Sequence, residues 1–322
     1  MSEQYIYQVA RLRSLETQLF SDGTINQLLA CPDHESCMRF LSEKGWGAGG
    51  EGETADSMLE REEEKTSALM TELKVSPEAF EVLELPKLFQ NLKAAVKETV
   101  SGPVTGEVYY EDTKPGAGEI RAIAAAGEWD RLPANMKGCA VEAHETLMHT
   151  GDGQMCDVII DRACLDAIAK AGKASKNDVI RDYAEATVAV ADIKIAARSA
   201  RTGKSADFMD RAIAECRTLN KPELVRAASG GVPALYDYLK GTIYSEGADA
   251  LSESPSAFER WCDNKLIETV KPQKYNSFTV GPIIAYYIAR QNEIKTVRII
   301  LSGKLNGLSE ESIRERVREM YV

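Results

Sequence analysis

The chain has 322 residues, 44% of them hydrophobic and 28% charged, enough for two or three ordinary domains or one large repeat assembly. Its 39 basic and 50 acidic side chains give a net charge of −11, which argues against general nucleic-acid binding, since that needs basic surface to displace counterions from phosphates. A locally basic docking face remains compatible with this balance.

No direct membrane span is expected. The most apolar run, 278–289, is twelve residues long and holds Gly281-Pro282, whereas a bilayer needs about 20 apolar residues. The first residues already read as an amphipathic helix without the apolar region of a signal peptide. The expected location is cytoplasmic, at a membrane only through a partner. The seven cysteines (31, 37, 139, 156, 164, 216 and 262) include no CxxC pair and no metal-like spacing, a pattern of reduced thiols.

In chain order, apolar residues at 5, 9, 12, 15 and 19 predict a helix over Tyr5–Phe20, broken by Asp22-Gly23. A short helix through Leu28-Leu29 follows, and Pro32-Asp33 opens another that ends near Lys44. Residues 45–53 read as a flexible glycine-rich loop. A charged helix from Thr54 to Lys74 carries Glu60, Glu62, Glu63 and Glu64, expected to form a solvated face. Pro86–Val100 is the next helix, with Leu92 and Val96 on its apolar side. The stretch 101–118 holds four glycines and two prolines and reads as a linker; inside it, Gly106–Tyr110 is the one candidate strand.

Helices resume at Glu119, and Gly151-Asp152-Gly153 breaks them once more. Asp178–Arg201 predicts a long helix whose stripe Ala186, Val190, Ile193 and Ala197 allows close helix packing. Asn220-Lys-Pro-Glu223 has the spacing of a capping box. Pro282 opens a last long helix with Ile284, Tyr287, Ile294, Val297 and Leu301 at helical spacing. Ser302-Gly303 should stop it, and Ser309 restarts a short charged helix.

One unit recurs. Asn91-Leu92-Lys93, Asp192-Ile193-Lys194 and Glu293-Ile294-Lys295 lie 101 residues apart, from 91 to 192 and from 192 to 293. A basic residue follows each triplet (Lys97, Arg198, Arg298), then a Ser/Thr-Gly pair; an acid (Glu60, Asp161, Asp263) precedes each by about 30 residues. This predicts an all-α chain of three similar helical bundles around a pseudo-threefold axis, with approximate divisions 1–110, 111–215 and 216–322.

Several motifs that resemble chemistry fail on their own terms. Gly47-Ala-Gly49-Gly-Glu-Gly52 matches GxGxxG, but a charged helix precedes it and an acidic segment that would repel phosphate follows. Gly203-Lys204-Ser205 lacks the first P-loop glycine, since position 198 is Arg198, and it follows a helix. His144-Glu145 needs a histidine at 148, about 40° round the helix; Met148 stands there, and His149 points about 140° away. His34 between Cys31 and Cys37 would crowd three ligands into one turn. No catalytic residue, cofactor or metal ligand is expected.

At Phe278-x3-Pro282-Ile-Ile-x-Tyr286-Tyr, Glu293-Ile-x3-Arg298-Ile-Ile-x-Ser302-Gly-Lys304 and Ile313-Arg-x6-Tyr321, the sequence resembles the C subunit of the V/A-type ATP synthases, similar to the d subunit of the vacuolar ATPase. Tyr5-x-Tyr7-x-Val9-Ala-Arg11-x-Arg13-x-x-Glu16 resembles the family's opening helix, and Asp192-x-Lys194-x3-Arg198 with Gly203-Lys204 its middle repeat. Asn91 and Lys97 depart from the acid and arginine of the other two copies, and the run 45–64 matches no family feature.

The resemblance implies a funnel of three bundles that catalyses nothing. It would be a rotor socket between the central stalk and the membrane proteolipid ring, transmitting torque in ATP-coupled proton or sodium transport. Arg198, Arg201 and Arg298, near helix ends after the triplets, are the candidate partner contacts. The alternative is a soluble helical scaffold or adaptor outside any rotary machine.

Overall fold

The structure is a computed structural model that describes residues 5–48, 52–102, 108–277 and 279–322. Among the described residues it holds α-helices and short 3-10 turns and no strand, so the expected all-α class is observed. Of the candidate strand, 106–107 lie outside the described residues, and 108–110 have no regular structure. The GxGxxG letters at 49–51, and Phe278, also lie outside them.

In chain order the helices are α1 (Ile6–Glu16), α2 (Asp22–Leu29), α3 (His34–Glu43), α4 (Ala55–Glu72), α5 (Glu81–Ser101), α6 (Ala117–Ala126), α7 (Ala134–Thr150) and α8 (Gly153–Ala174). There follow α9 (Asp178–Thr202), α10 (Ala206–Ala212), α11 (Lys221–Ser229), α12 (Val232–Lys240), α13 (Ser245–Glu253), α14 (Pro255–Val270), α15 (Gly281–Leu305) and α16 (Glu310–Arg314). They form two compact units, one of residues 1–79 with 246–322, the other of 80–245.

The first unit is organised around α15, which touches α1, α2, α3, α4, α14 and α16. Its exposed positions, Lys295, Arg298, Ser302 and Leu305, form one narrow stripe along its second half, and the rest of its surface is covered. Accordingly Ile284, Ala285, Ile288, Ile294, Val297 and Leu301 are all buried, on different faces of α15. Its lower half packs into a core with Phe20, Leu28, Leu41, Trp46, Met58 and Ile313. The Ser302-Gly303 stop is corrected: α15 runs on to Leu305, because Gly303 is where Ile313 packs, and a Cβ there would sit 2.6 Å from its Cγ1. The left-handed turn falls instead at Gly307, with φ of 66°.

Two further expectations are corrected in this unit. Asp22-Gly23 is not a break but the first turn of α2, because the Ser21 hydroxyl caps it by accepting from Thr24 N at 3.2 Å. The acidic run on α4 is not wholly solvated. Glu60 and Glu64 are exposed, yet Glu62 is buried among Met58, Thr66 and Met70, four-residue neighbours on the inner stripe.

The second unit packs α8 and α9 against each other, with α5 and α7 on α8, and α11 and α12 on α9. The expected small-residue stripe of α9 is buried throughout. Close approach is sharpest at Gly172 of α8, where a Cβ would lie 2.4 Å from the Ala184 Cβ of α9. Gly151 and Gly203, both left-handed, end α7 and α9. The Asn220 cap is half of the expected box: its Oδ1 accepts from Glu223 N at 3.0 Å, while its own amide donates to the Tyr238 hydroxyl at 3.2 Å.

Candidate docking surface

The three triplets sit in the middle of α5, α9 and α15. In each the first residue is buried and receives a backbone amide from a connecting segment. Asn91 Oδ1 accepts from Tyr110 N at 2.8 Å, Asp192 Oδ1 from Ala214 N at 2.8 Å, and Glu293 Oε2 from Phe20 N at 3.1 Å. Tyr110 and Ala214 each stand six residues before the cap of the next helix, Gly116 or Asn220. The triplet's polar residue is thus a tether for chain entering the next small helix, satisfying a backbone N–H that lies outside any helix.

The lysines of two triplets make ion pairs with the upstream acids singled out above. Lys93 Nζ lies 2.5 Å from Asp161, and Lys295 Nζ 2.6 Å from Asp263, which also receives Arg318 Nε at 2.7 Å. Lys97, the basic residue of the first copy, pairs with Asp157 at 2.6 Å.

Arg198 and Arg201 lie exposed one turn apart at the C-terminal end of α9, where cationic side chains complement the helix dipole. Arg198 lines a groove of about 660 Å³ in the second unit, bounded by α5, α8, α9 and α10. Its walls are largely apolar, with Phe89, Val158, Leu165, Ile195 and Phe208 among them. Lys204 closes one side, donating to Gln154 Oε1 at 2.7 Å and resting over the Phe208 ring. The Arg198 guanidinium has no ion-pair partner among the described residues. An apolar trough with a free cation at its lip suits a helix that brings a carboxylate or a helix C-terminus.

Arg298 stands on α15 in the first unit, half-exposed, with Glu63 at 3.3 Å and Asp56 at 3.7 Å on α4. A second groove of about 460 Å³ in this unit is lined by Arg11, Lys65 and Arg290. There these three cations already hold acids: Arg11 with Glu72, Lys65 and Arg290 with Glu62.

Sequence reasoning passed over the Glu62–Arg290–Glu293 cluster. Arg290 reaches both carboxylates at 2.6 Å, and Glu62 also accepts from Gly47 N at 3.0 Å. Its guanidinium lies 5.2 Å from the centre of the Trp46 ring, which stacks on Phe20. The available signal was the Met58, Glu62, Thr66, Met70 spacing, which places one acid of the run on the apolar face of α4.

These features define a class: an all-helical protein whose candidate site is a surface for another macromolecule. The chain belongs to the ATP synthase (C/AC39) subunit family, which it matches over residues 8–316. This family comprises non-catalytic subunits of V/A-type ATPases. Among its relatives, the C subunit of the V-type sodium ATPase of Enterococcus hirae is 23% identical over 317 residues, covering 96% of this chain and 97% of the relative. The C subunit of the A-type ATP synthase of Methanocaldococcus jannaschii is 25% identical over 345 residues, covering 96% and 85%. The C subunit of the V-type ATP synthase of Thermus thermophilus is 23% identical over 329 residues, covering 98% and 99%.

Proposed function

We propose that this protein is a rotor socket of a V/A-type ATPase, joining the central stalk to the membrane proteolipid ring and transmitting torque between them during ATP-coupled proton or sodium transport. The observation that carries the reading is the apolar groove of the second unit with the unpaired Arg198 at its lip. Relatives of nearly the same length, each named as the C subunit of such a machine, support the setting. The three divisions 1–110, 111–215 and 216–322 would group as similar bundles about a pseudo-threefold axis, so that a funnel mouth receives a thin stalk and a broad base rests on the ring. Arg198, Arg201 and Arg298 are the contacts assigned to these partners.

No helix among the described residues is long and apolar enough to cross a membrane. Attachment would therefore come through the complex, on the cytoplasmic face. The test is capture of partners by the tagged full chain from solubilised membranes of its own cell. Joint recovery of a proteolipid ring and a long coiled-coil protein supports the socket. Recovery of neither removes it in favour of a helical adaptor.

A further inference from the structure

Asp192 and Asn91 hold the same place in two triplets, but their surroundings ask different things of them. Asn91 is fully satisfied: its Oδ1 accepts from Tyr110 N, and its Nδ2 donates to Tyr110 O at 2.8 Å and to Thr113 Oγ1 at 2.9 Å. Asp192 is 1% exposed, and its Oδ1 accepts from Ala214 N. Its Oδ2 is buried with no hydrogen-bond partner among the described residues. A buried carboxylate with one oxygen unpaired is among the costliest groups a fold can contain, whereas the protonated acid is a neutral near-isostere of asparagine.

The groups around it do not neutralise a charge there. From α8, Arg162 faces the site, but its guanidinium is held by Asp166 at 3.0 Å and by the Ile213 carbonyl. Lys221, at the start of α11, lies 3.2 Å from Asp210 of α10, and Arg211 of α10 pairs with Glu142. Asp237 and Lys240 of α12 are exposed. On the connector, the Cys216 thiol is pushed up to about 11 by burial, then by Asp192 itself. Glu185, on α9 with Asp192, is occupied by Thr218.

We propose that Asp192 is a proton-bearing structural acid that latches the connector after α10 onto α9, and that its ionisation opens this latch: the charged form accepts more strongly from Ala214 N, but its buried, unpartnered Oδ2 must then reach water, which requires the connector to lift. The connector begins directly after Ala212, whose side chain lines the groove, and Ile213 and Ala214 are both buried. Loss of the Asp192 tether therefore frees the wall that α10 contributes. The latch is a property of the second unit and stands whatever occupies the groove.

Burial, the largest influence, raises the Asp192 carboxyl to about 8 against the opposing pull of the Ala214 amide, Arg162 and Lys221. Between the ordinary value of 3.8 and about 8, the folded chain keeps a proton that the unfolded chain releases. Stability therefore falls as pH rises through this window, and the loss is complete above it.

Urea unfolding of the full chain and of D192N from pH 5 to pH 9 tests the proposal. The folding constant of D192N relative to the parent should grow by up to about tenfold per pH unit and level off near pH 8, as one retained proton requires. A ratio that does not change with pH overturns the latch. Should D192N fail to fold, hydrogen exchange in the parent decides. Corrected for intrinsic base catalysis, exchange of the peptide holding Ile213 and Ala214 should accelerate about tenfold or more between pH 6 and pH 9; protection constant over that range also overturns it.

Discussion

Arg290 of α15 and Glu62 of α4 stand 228 residues apart in the chain and meet at 2.6 Å in a buried contact. Glu293, one turn further along α15, closes on the same guanidinium at 2.6 Å. The Trp46 ring covers the guanidinium, while the backbone amides of Gly47 and Phe20 each donate to one carboxylate. The cluster therefore ties α15 to α4, to the chain before α2 and to the turn after α3. A buried ionic group of this kind owes its place to full hydrogen bonding rather than to Coulomb attraction alone.

Removing the shared cation is accordingly the harshest single change in the first unit. Arg290→Met leaves two carboxylates buried side by side, and should lower the stability by about 3–5 kcal/mol. Urea denaturation followed by circular dichroism at pH 7.5 measures it; a loss below about 1 kcal/mol would mean that water reaches the cluster.

Two glycines at close helix approaches should respond differently to the same methyl group. Gly172→Ala sets a Cβ 2.4 Å from the Ala184 Cβ, which is fixed to the backbone of α9, so α8 and α9 must separate, at a cost of about 1–3 kcal/mol. Gly303→Ala meets the Ile313 side chain, whose Cγ1 and Cδ1 can move by a change of rotamer, and should cost less. The order of the two thermal midpoints is the measurement.

The arginines assigned to partners should separate assembly from folding. Arg298 is half-exposed beside Glu63 and Asp56, so Arg298→Glu should change stability by no more than about 1 kcal/mol. Arg198→Glu, with no ion pair to break, should change it by about 0.5 kcal/mol or less. On the proposed function both weaken retention of stalk or ring in a pull-down. Normal assembly of either variant rejects its residue as a contact.

The two buried acids should titrate stability in overlapping windows that end at different pH. Burial raises Glu293 to about 7 despite Arg290 and the Phe20 amide, so the folded chain keeps its proton between 4.5 and about 7 while the unfolded chain loses it. Stability then declines with rising pH across that window. Glu293→Gln should roughly halve the slope of the urea midpoint between pH 5 and pH 7, where both acids retain a proton, and leave the slope from pH 7 to pH 8, which belongs to Asp192.

Much of the helical framework was legible from periodicity and caps. The helix expected over Asp178–Arg201 is observed as Asp178–Thr202, Asp33 and Thr54 cap helices near the expected starts, and Asp152, read only as part of a break, caps α8. What periodicity misjudged were residues whose role depends on a distant neighbour. Glu62 reads as one acid among four until α15 brings Arg290 to it, and Gly303 reads as a stop until Ile313 needs the space of a missing Cβ. The triplets were visible as a spacing, but their tethering of Tyr110, Ala214 and Phe20 amides was not, because no local pattern marks the accepting segment. The groove was foreshadowed only by Arg198, since its walls come from four separate helices.

The first unit is assembled from both ends of the described chain, with the second unit encoded between them. During synthesis, α4 therefore leaves the ribosome 228 residues ahead of the arginine that Glu62 requires. The whole of 80–245 is available to fold in the meantime, while α1–α4 wait with an unmatched acid on their inner face. The order of maturation is thus the reverse of the order of translation for these helices, and the emergence of α15 is the event that completes them.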